Sequence, residues 1–328
     1  QLLFQTFNFG DSLSAPSVSQ IRERVFETSA GGQLAYPFST TRRLEGGLGF
    51  RRYSYDFEED RFFLDQFGRI FAVERLDRPD LEAQFSTLNL GSASLAYVGD
   101  NSFFGFTSPI RGGRFRFGVD ATVGTENFFT AIADWRRYWA PHQNLTVGFR
   151  GMHIGRYGGI ESANVIQPYF LGWETNIRGY AYESFETTEC RLPEGSTGDG
   201  CPVFDRLFGN QIAVANFEMR IPFLGVEQYG LLAFPFLPTE LTAFVDAGLA
   251  WYDQDPGDNA RFGTSQLLDN SPTLEWSRTS LERIPVVSAG FSARTNILGF
   301  LILETYFAYP FQRPDKGWHW GFNLAPGW

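Results

Sequence analysis

The sequence predicts an all-β fold, an antiparallel β-barrel that crosses a membrane with its strands. Three observations predict it. Apolar and polar residues alternate with period two in segment after segment, the polar face of those segments carries arginines, carboxylates and glycines, and the apolar face often ends in Trp, Tyr or Phe. A soluble β-sandwich also alternates, but there the polar face meets open solvent. A wet, crowded lumen inside and aromatic girdles outside are the marks of a membrane barrel.

The segments follow in chain order. About twelve strands are readable, over 1–9, 20–36, 43–57, 85–98, 112–124, 126–139, 143–155, 209–223, 241–252, 285–297, 299–311 and 317–328. In the fifth, Phe115, Phe117, Val119, Ala121 and Val123 share one face, and Arg114, Arg116, Gly118 and Asp120 the other. The sixth sets Phe129, Ala131, Ala133 and Trp135 against Thr130, Asp134 and Arg136, and the seventh sets Leu145, Val147 and Phe149 against Thr146, Gly148 and Arg150. In the eighth, Phe217, Met219 and Ile221 oppose Asn216, Glu218 and Arg220. In the ninth, Leu241, Ala243 and Val245 oppose Thr242, Asp246 and Gly248. Trp139, Trp251, Tyr309 and Trp318 supply the aromatic ends. Segment 69–76 reads as an extra hairpin arm above the membrane. Short turns fall near 37–41, 140–143 and 297–299, and long polar connections at 57–84, 156–208 and 253–284, the asymmetry expected of short periplasmic turns and long extracellular loops.

Composition agrees. Among 328 residues stand 35 Phe, 13 Tyr and 8 Trp, an aromatic share too high for an average globular protein. No apolar run approaches the roughly 18 to 20 residues that a membrane helix needs. The net charge of −10 argues against nucleic acid as a partner, and Lys316 is the only lysine. The acidic run Asp56–Asp60 reads as a solvated loop tip, where contact with a divalent cation or lipopolysaccharide is the alternative. Cys190 and Cys201 flank a Gly/Pro/Ser-rich stretch, and a local disulfide between them suits an oxidising compartment. No His lies near them, so a metal site is not expected there. His142, His153 and His319 are scattered, with no nucleophile or metal spacing, so neither an enzyme nor a cofactor is expected. No charged stretch followed by an apolar run opens the chain, so no signal peptide is visible, and residue 1 reads as the start of a mature or truncated segment.

Four motifs carry a family resemblance. Ile177-Arg178-Gly179-Tyr180 resembles the V/I-R-G-F/Y signature of the bacterial surface antigen superfamily, the family of BamA and of two-partner secretion transporters. Asn216–Pro222 is similar to its E-x-R-x-P strand, Phe244–Trp251 to its F-x-D-x-G strand, and Ser288–Arg294 to its S-x-G-x-G/A-x-R strand, all in family order. The resemblance implies a sixteen-stranded barrel in which the loop 156–208 is extracellular and folds back into the lumen. It also implies that the single barrel domain 1–328 is N-terminally incomplete by about four strands, and that the polypeptide-binding repeats that usually precede such a barrel are not in this chain. The wording of 103–180 and the ending G-W-x-W-x-F are similar to barrels that follow TolB-like propeller domains. Trp320, Phe322, Leu324 and Trp328 share one parity and are similar to the C-terminal signal read by the outer-membrane assembly machinery, although Pro326 cannot donate to a ladder.

Arg178 inside a barrel needs a carboxylate, since an unpaired charge in a confined lumen is costly. Parity alone puts Glu218 and Asp246 on the inner face, where a guanidinium can fork to one or both. Gly179 allows a sharp turn, and Tyr180 is expected to pack on lumen glycines such as Gly248 and Gly290. Arg114, Arg116, Arg136, Arg150, Arg220 and Arg294 are expected to line the lumen. The function that the resemblance implies is insertion of polypeptides into the bacterial outer membrane, or their translocation across it. The alternative is a plugged barrel that anchors a periplasmic or surface partner. Expected partners are outer-membrane lipid and lipopolysaccharide, the assembly machinery, and either a polypeptide substrate or that partner protein. A diffusion porin is disfavoured, because a folded-in loop and bulky arginines obstruct a pore.

Overall fold

The computed structural model describes residues 2–8, 17–65, 67–77, 79, 87–158, 168–189, 201–252, 283–313 and 315–324. Twelve strands, each hydrogen-bonded antiparallel to the next, form one continuous sheet in chain order. They are β1 (Leu2–Asn8), β2 (Ser17–Ser39), β3 (Arg42–Leu64), β4 (Leu88–Asp100), β5 (Pro109–Gly124), β6 (Phe128–His142), β7 (Leu145–Tyr157), β8 (Gln211–Gly225), β9 (Thr239–Trp251), β10 (Val286–Ile297), β11 (Leu301–Pro310) and β12 (His319–Leu324). A meander follows from the sequence because tight turns at 40–41, 143–144 and 298–300 join strands that can only pair antiparallel. No helix is long and apolar enough to cross a membrane among the described residues.

The sheet is rolled, and its two faces are inverted relative to a soluble protein. Asn296 at the end of β10 donates to the carbonyl of Phe106 just before β5 (2.6 Å), although four strands separate β5 from β10 in the sheet. Only a curled sheet brings them together. Inside, Glu218, Arg220, Asp246 and Arg294 are fully buried. Outside, Phe217, Val245, Phe291, Phe307 and Trp320 stand exposed at 41, 45, 64, 55 and 63%. Burial of charge and exposure of Phe make sense only if hydrocarbon lies outside.

Two elements depart from expectation. β2 and β3 are 23 residues each, longer than the strands expected at 20–36 and 43–57. Their outward apolar band runs from Phe26 to Phe38, twelve steps or roughly 40 Å along the strand, and roughly 28 Å in height at a 45° tilt. Beyond it the hairpin continues as a charge ladder, with Arg22–Asp60 at 3.0 Å, Arg24–Glu58 at 2.6 Å and Arg75–Asp60 at 2.8 Å. The acidic run 56–60 is therefore a strand, not a loop tip, and arginines pair with Asp56, Glu58, Glu59 and Asp60. Ile70–Asp77 adds a short third strand to that arm, beside β3. The expected loop at 253–284 and the end of the expected last strand fall mainly outside the described residues.

Candidate functional site

The connection between β7 and β8 turns inward and seats on the inner wall. Its two legs zip together where Tyr169 and Phe170 pair with Gly209 and Phe208, and the N–H of Leu171 donates to Leu207 (2.8 Å). Beyond that zipper the chain makes a tight turn, with the N–H groups of Asn176 and Ile177 both donating to the carbonyl of Trp173. Leu171, Ile177, Tyr180, Phe204 and Leu207 then bury against Met152, Ile212, Val214, Ala250 and Val286 of the wall. The wall is shaped for this contact. A Cβ on Gly248 would sit 2.2 Å from Cδ1 of Ile177, so only glycine leaves the space that Ile177 fills.

At the tip, Arg178 is 3% exposed and surrounded by carboxylates. Its Nε and Nη2 fork onto Asp246 at 2.8 and 2.9 Å, and its own backbone N–H donates to the same carboxylate at 3.2 Å. Nη1 reaches Glu218 at 2.8 Å and Glu304 at 2.9 Å, and the guanidinium lies 3.5 Å from the ring centroid of Phe244. Glu218 is also held by Arg220 (2.7 Å) and Arg294 (2.7 Å), Glu304 by Arg294 (3.1 Å) and Ser292 (2.7 Å), and Asp246 by Asn216 (2.9 Å). Such a cluster offsets the desolvation of its carboxylates because each of them is met by two or more donors at good geometry. Gly179, next in line, has φ +88, a conformation that L side chains rarely adopt, and a Cβ there would sit 3.1 Å from the Cβ of Ala308.

The cluster touches the opposite rim as well. Ser108, in the turn between β4 and β5, donates to both carboxylate oxygens of Glu240 at 2.8 and 2.9 Å. Arg220, which holds Glu218, also donates to Ser108 Oγ (3.2 Å) and to the carbonyl of Pro109 (3.1 Å). One buried ion network thus contacts a loop from one end of the barrel and a turn from the other.

Three contacts were not legible in the sequence. Glu304 completes the Arg178 cage; its signal was faint, a lone carboxylate at an inward parity of β11. Arg313, in the β11–β12 connection, is buried and grips the loop: it meets Glu189 at 2.8 Å, the carbonyl of Gly179 at 2.6 Å and that of Ser184 at 2.7 Å, and stacks on Phe185 at 3.8 Å. The Ser108 tie was equally invisible. A correction concerns Tyr180, which does not pack on Gly248 or Gly290. Ile177 and Leu171 cover the first and Phe244 the second, while the Tyr180 hydroxyl donates to Val287 (3.1 Å) and Gln312 (2.9 Å). Burial pushes its phenol up to about 12.

The remaining expected residues are placed as follows. Arg136 and Arg150 share Asp134 at 2.6 and 3.2 Å, and Arg150 also donates to the loop carbonyl of Thr175 at 2.7 Å. Arg116 pairs with Glu45 at 2.6 Å, and Arg114 lies on the same inner wall without an ion pair among the described residues. Trp320, Phe322 and Leu324 project from the outer face of β12, whereas Trp328 lies outside the described residues. Cys201 is buried at the head of a short helix, Pro202–Asp205, but Cys190 and hence the expected pairing lie outside the described residues.

Comparison with known proteins agrees with this geometry. The family model of the Omp85 superfamily domain matches residues 9–325. Among solved structures, the chain is similar to the crystal structure of BamA from Haemophilus ducreyi lacking POTRA domains 1–3. The TM-score is 0.55 at 15% identity, over 97% of this chain and 56% of that one. The chain thus spans little more than half the length of that protein. No curated protein matches.

Proposed function

Because the chain belongs to the Omp85 superfamily and is an outer-membrane β-barrel, we propose that it inserts polypeptides into the bacterial outer membrane or passes them across it. One observation carries this reading: the Arg178 tip sits in the carboxylate cluster of β8, β9 and β11, bracing the wall next to β12. A wall braced there can yield at its terminal strands without losing its interior. In this reading the loop 156–208 is extracellular, the lumen arginines face water, and the outward band meets lipid and lipopolysaccharide. The C-terminal aromatics address the assembly machinery.

The test is crosslinking in reconstituted membranes. A photoreactive residue replacing Asn323 on β12 should capture an unfolded outer-membrane barrel substrate, while the same probe at Ala131 on β6 should not. Equal capture at both positions refutes the reading.

A second reading has its own support. The loop is held at Asp246, Glu218, Glu304, Arg313 and Gln312 together, which suits a permanently plugged barrel that anchors a periplasmic or surface partner. Fold alone does not choose between them. A stable stoichiometric partner on gentle purification, without substrate capture at β12, decides for the anchor.

A further inference from the structure

A second charged region lies on the inner wall away from the Arg178 cage, although one of its members, Arg150, also donates to the loop carbonyl of Thr175. Between β4, β5 and β6 lies a cavity of about 240 Å³, lined by Arg43, Asp100, Arg114, Arg116, Asp134 and Arg136 among others. The strand register stacks like charges there: Arg114 stands directly opposite Arg136, and Arg136 directly opposite Arg150. Like charges facing each other across a ladder are destabilising unless something compensates them.

The protein's own carboxylates compensate only in part. Glu45 takes Arg43 and Arg116, each at 2.6 Å, and Asp134 takes Arg136 and Arg150. Asp100 is the register partner of Arg114, yet its carboxylate accepts from the N–H of Ser102 at 3.0 Å instead. Arg114 has no ion pair among the described residues. Four guanidinium groups (Arg43, Arg114, Arg116, Arg136) and two carboxylates (Asp100, Asp134) line the cavity, and adding the ion-pair partners Glu45 and Arg150 leaves the same excess of two positive charges, in a chain of net charge −10.

We propose that this cavity is an oxyanion site that takes a phosphate group from the aqueous interior, with Arg114 as its principal binding residue. A phosphate group carries about −1.5 to −2 charges at neutral pH, which matches the local excess, and its several oxygens can meet guanidinium groups from different strands. A single carboxylate would neutralise half of that excess. The cavity has room for a phosphate and part of its hydration. Arg114 points away from the lipid side, where its neighbour Phe117 is exposed, so a water-borne phosphate reaches it more directly than a lipid headgroup.

Calorimetric titration of the full chain in a non-ionic detergent, at constant ionic strength, tests the proposal. Inorganic phosphate should bind saturably. Arg114→Gln should weaken it by about tenfold or more, while Arg137→Gln, the same charge change at an exposed neighbour on β6, should leave it unchanged. Retained heat-modifiable migration shows that both variants fold, and Arg114→Lys serves if the first does not. The proposal is overturned by an absence of saturable binding, by equal loss in the two variants, or by acetate binding as tightly as phosphate. Binding confined to a short-chain phosphatidic acid, with none for inorganic phosphate, overturns the aqueous source.

Discussion

Replacing Arg178 by Ala removes the cation shared by Asp246, Glu218 and Glu304, but the three carboxylates do not suffer equally. Glu218 keeps Arg220 and Arg294, and Glu304 keeps Arg294 and Ser292. Asp246 keeps only the Asn216 amide at 2.9 Å and the backbone N–H of residue 178 at 3.2 Å. Breaking a buried pair by removing one partner costs about 3–5 kcal/mol, because the other charge is left buried without compensation. Here that cost falls on Asp246 and is felt as loop release, since β8, β9 and β11 remain tied by their ladders. At about 1.4 kcal/mol per decade, loop opening should rise by about 10² to 10³ or more. Hydrogen exchange of residues 171–180 in the purified protein reads this directly. Arg178→Ala should lose protection there while β8 and β9 keep theirs, and Arg178→Ala/Asp246→Asn should recover much of it, because the orphaned charge is gone. Unchanged protection in the single variant, or a double variant as labile as the single, would refute the argument.

Other outcomes follow from the same geometry. Gly248→Val should overpack the seat of Ile177 and Leu171, loosening the loop by about 1–3 kcal/mol with the strands intact; proteolysis of the loop at native temperature reads it. Arg313→Ala should unpin the 182–189 segment, leaving Glu189 buried without its cation; a variant whose 182–189 amides exchange as slowly as wild type would count against that anchor. The Tyr180 phenol is raised by burial to about 12, so its contribution is fully present below the ordinary value of about 10 and is lost as pH rises from there through about 12. A phenolate absorbance titration, compared with Tyr180→Phe, should show one tyrosine ionising late and the loop loosening with it. One that ionises with the exposed tyrosines contradicts the burial.

The meander order and the face each residue takes on most strands were legible in the sequence alone, because alternation is a local property of extended backbone. Asn216, Glu218 and Arg220 could be placed inside, and Phe217 and Met219 outside, without knowing any neighbour. The Arg178 motif was legible through its resemblance to the family signature, and parity then supplied the inward carboxylates that its charge needs. Partners across the interior were not. Glu304 and Arg313 meet the loop across 126 and 124 residues of chain, and Ser108 meets Glu240 across 132. Those distances close only when the sheet curls and the loop reaches its depth, which no local period encodes. The same gap misled the reading of Tyr180: parity identified Gly248 as an inward space, but only the depth of the loop decided that Ile177 fills it. The arm of β2 and β3 shows the converse, since its acidic residues read as a loop until the tertiary structure set Arg22, Arg24 and Arg75 beside them. Periodicity fixed which side of the wall each side chain faces, and the closing of distant chain segments on one another decided what it meets there.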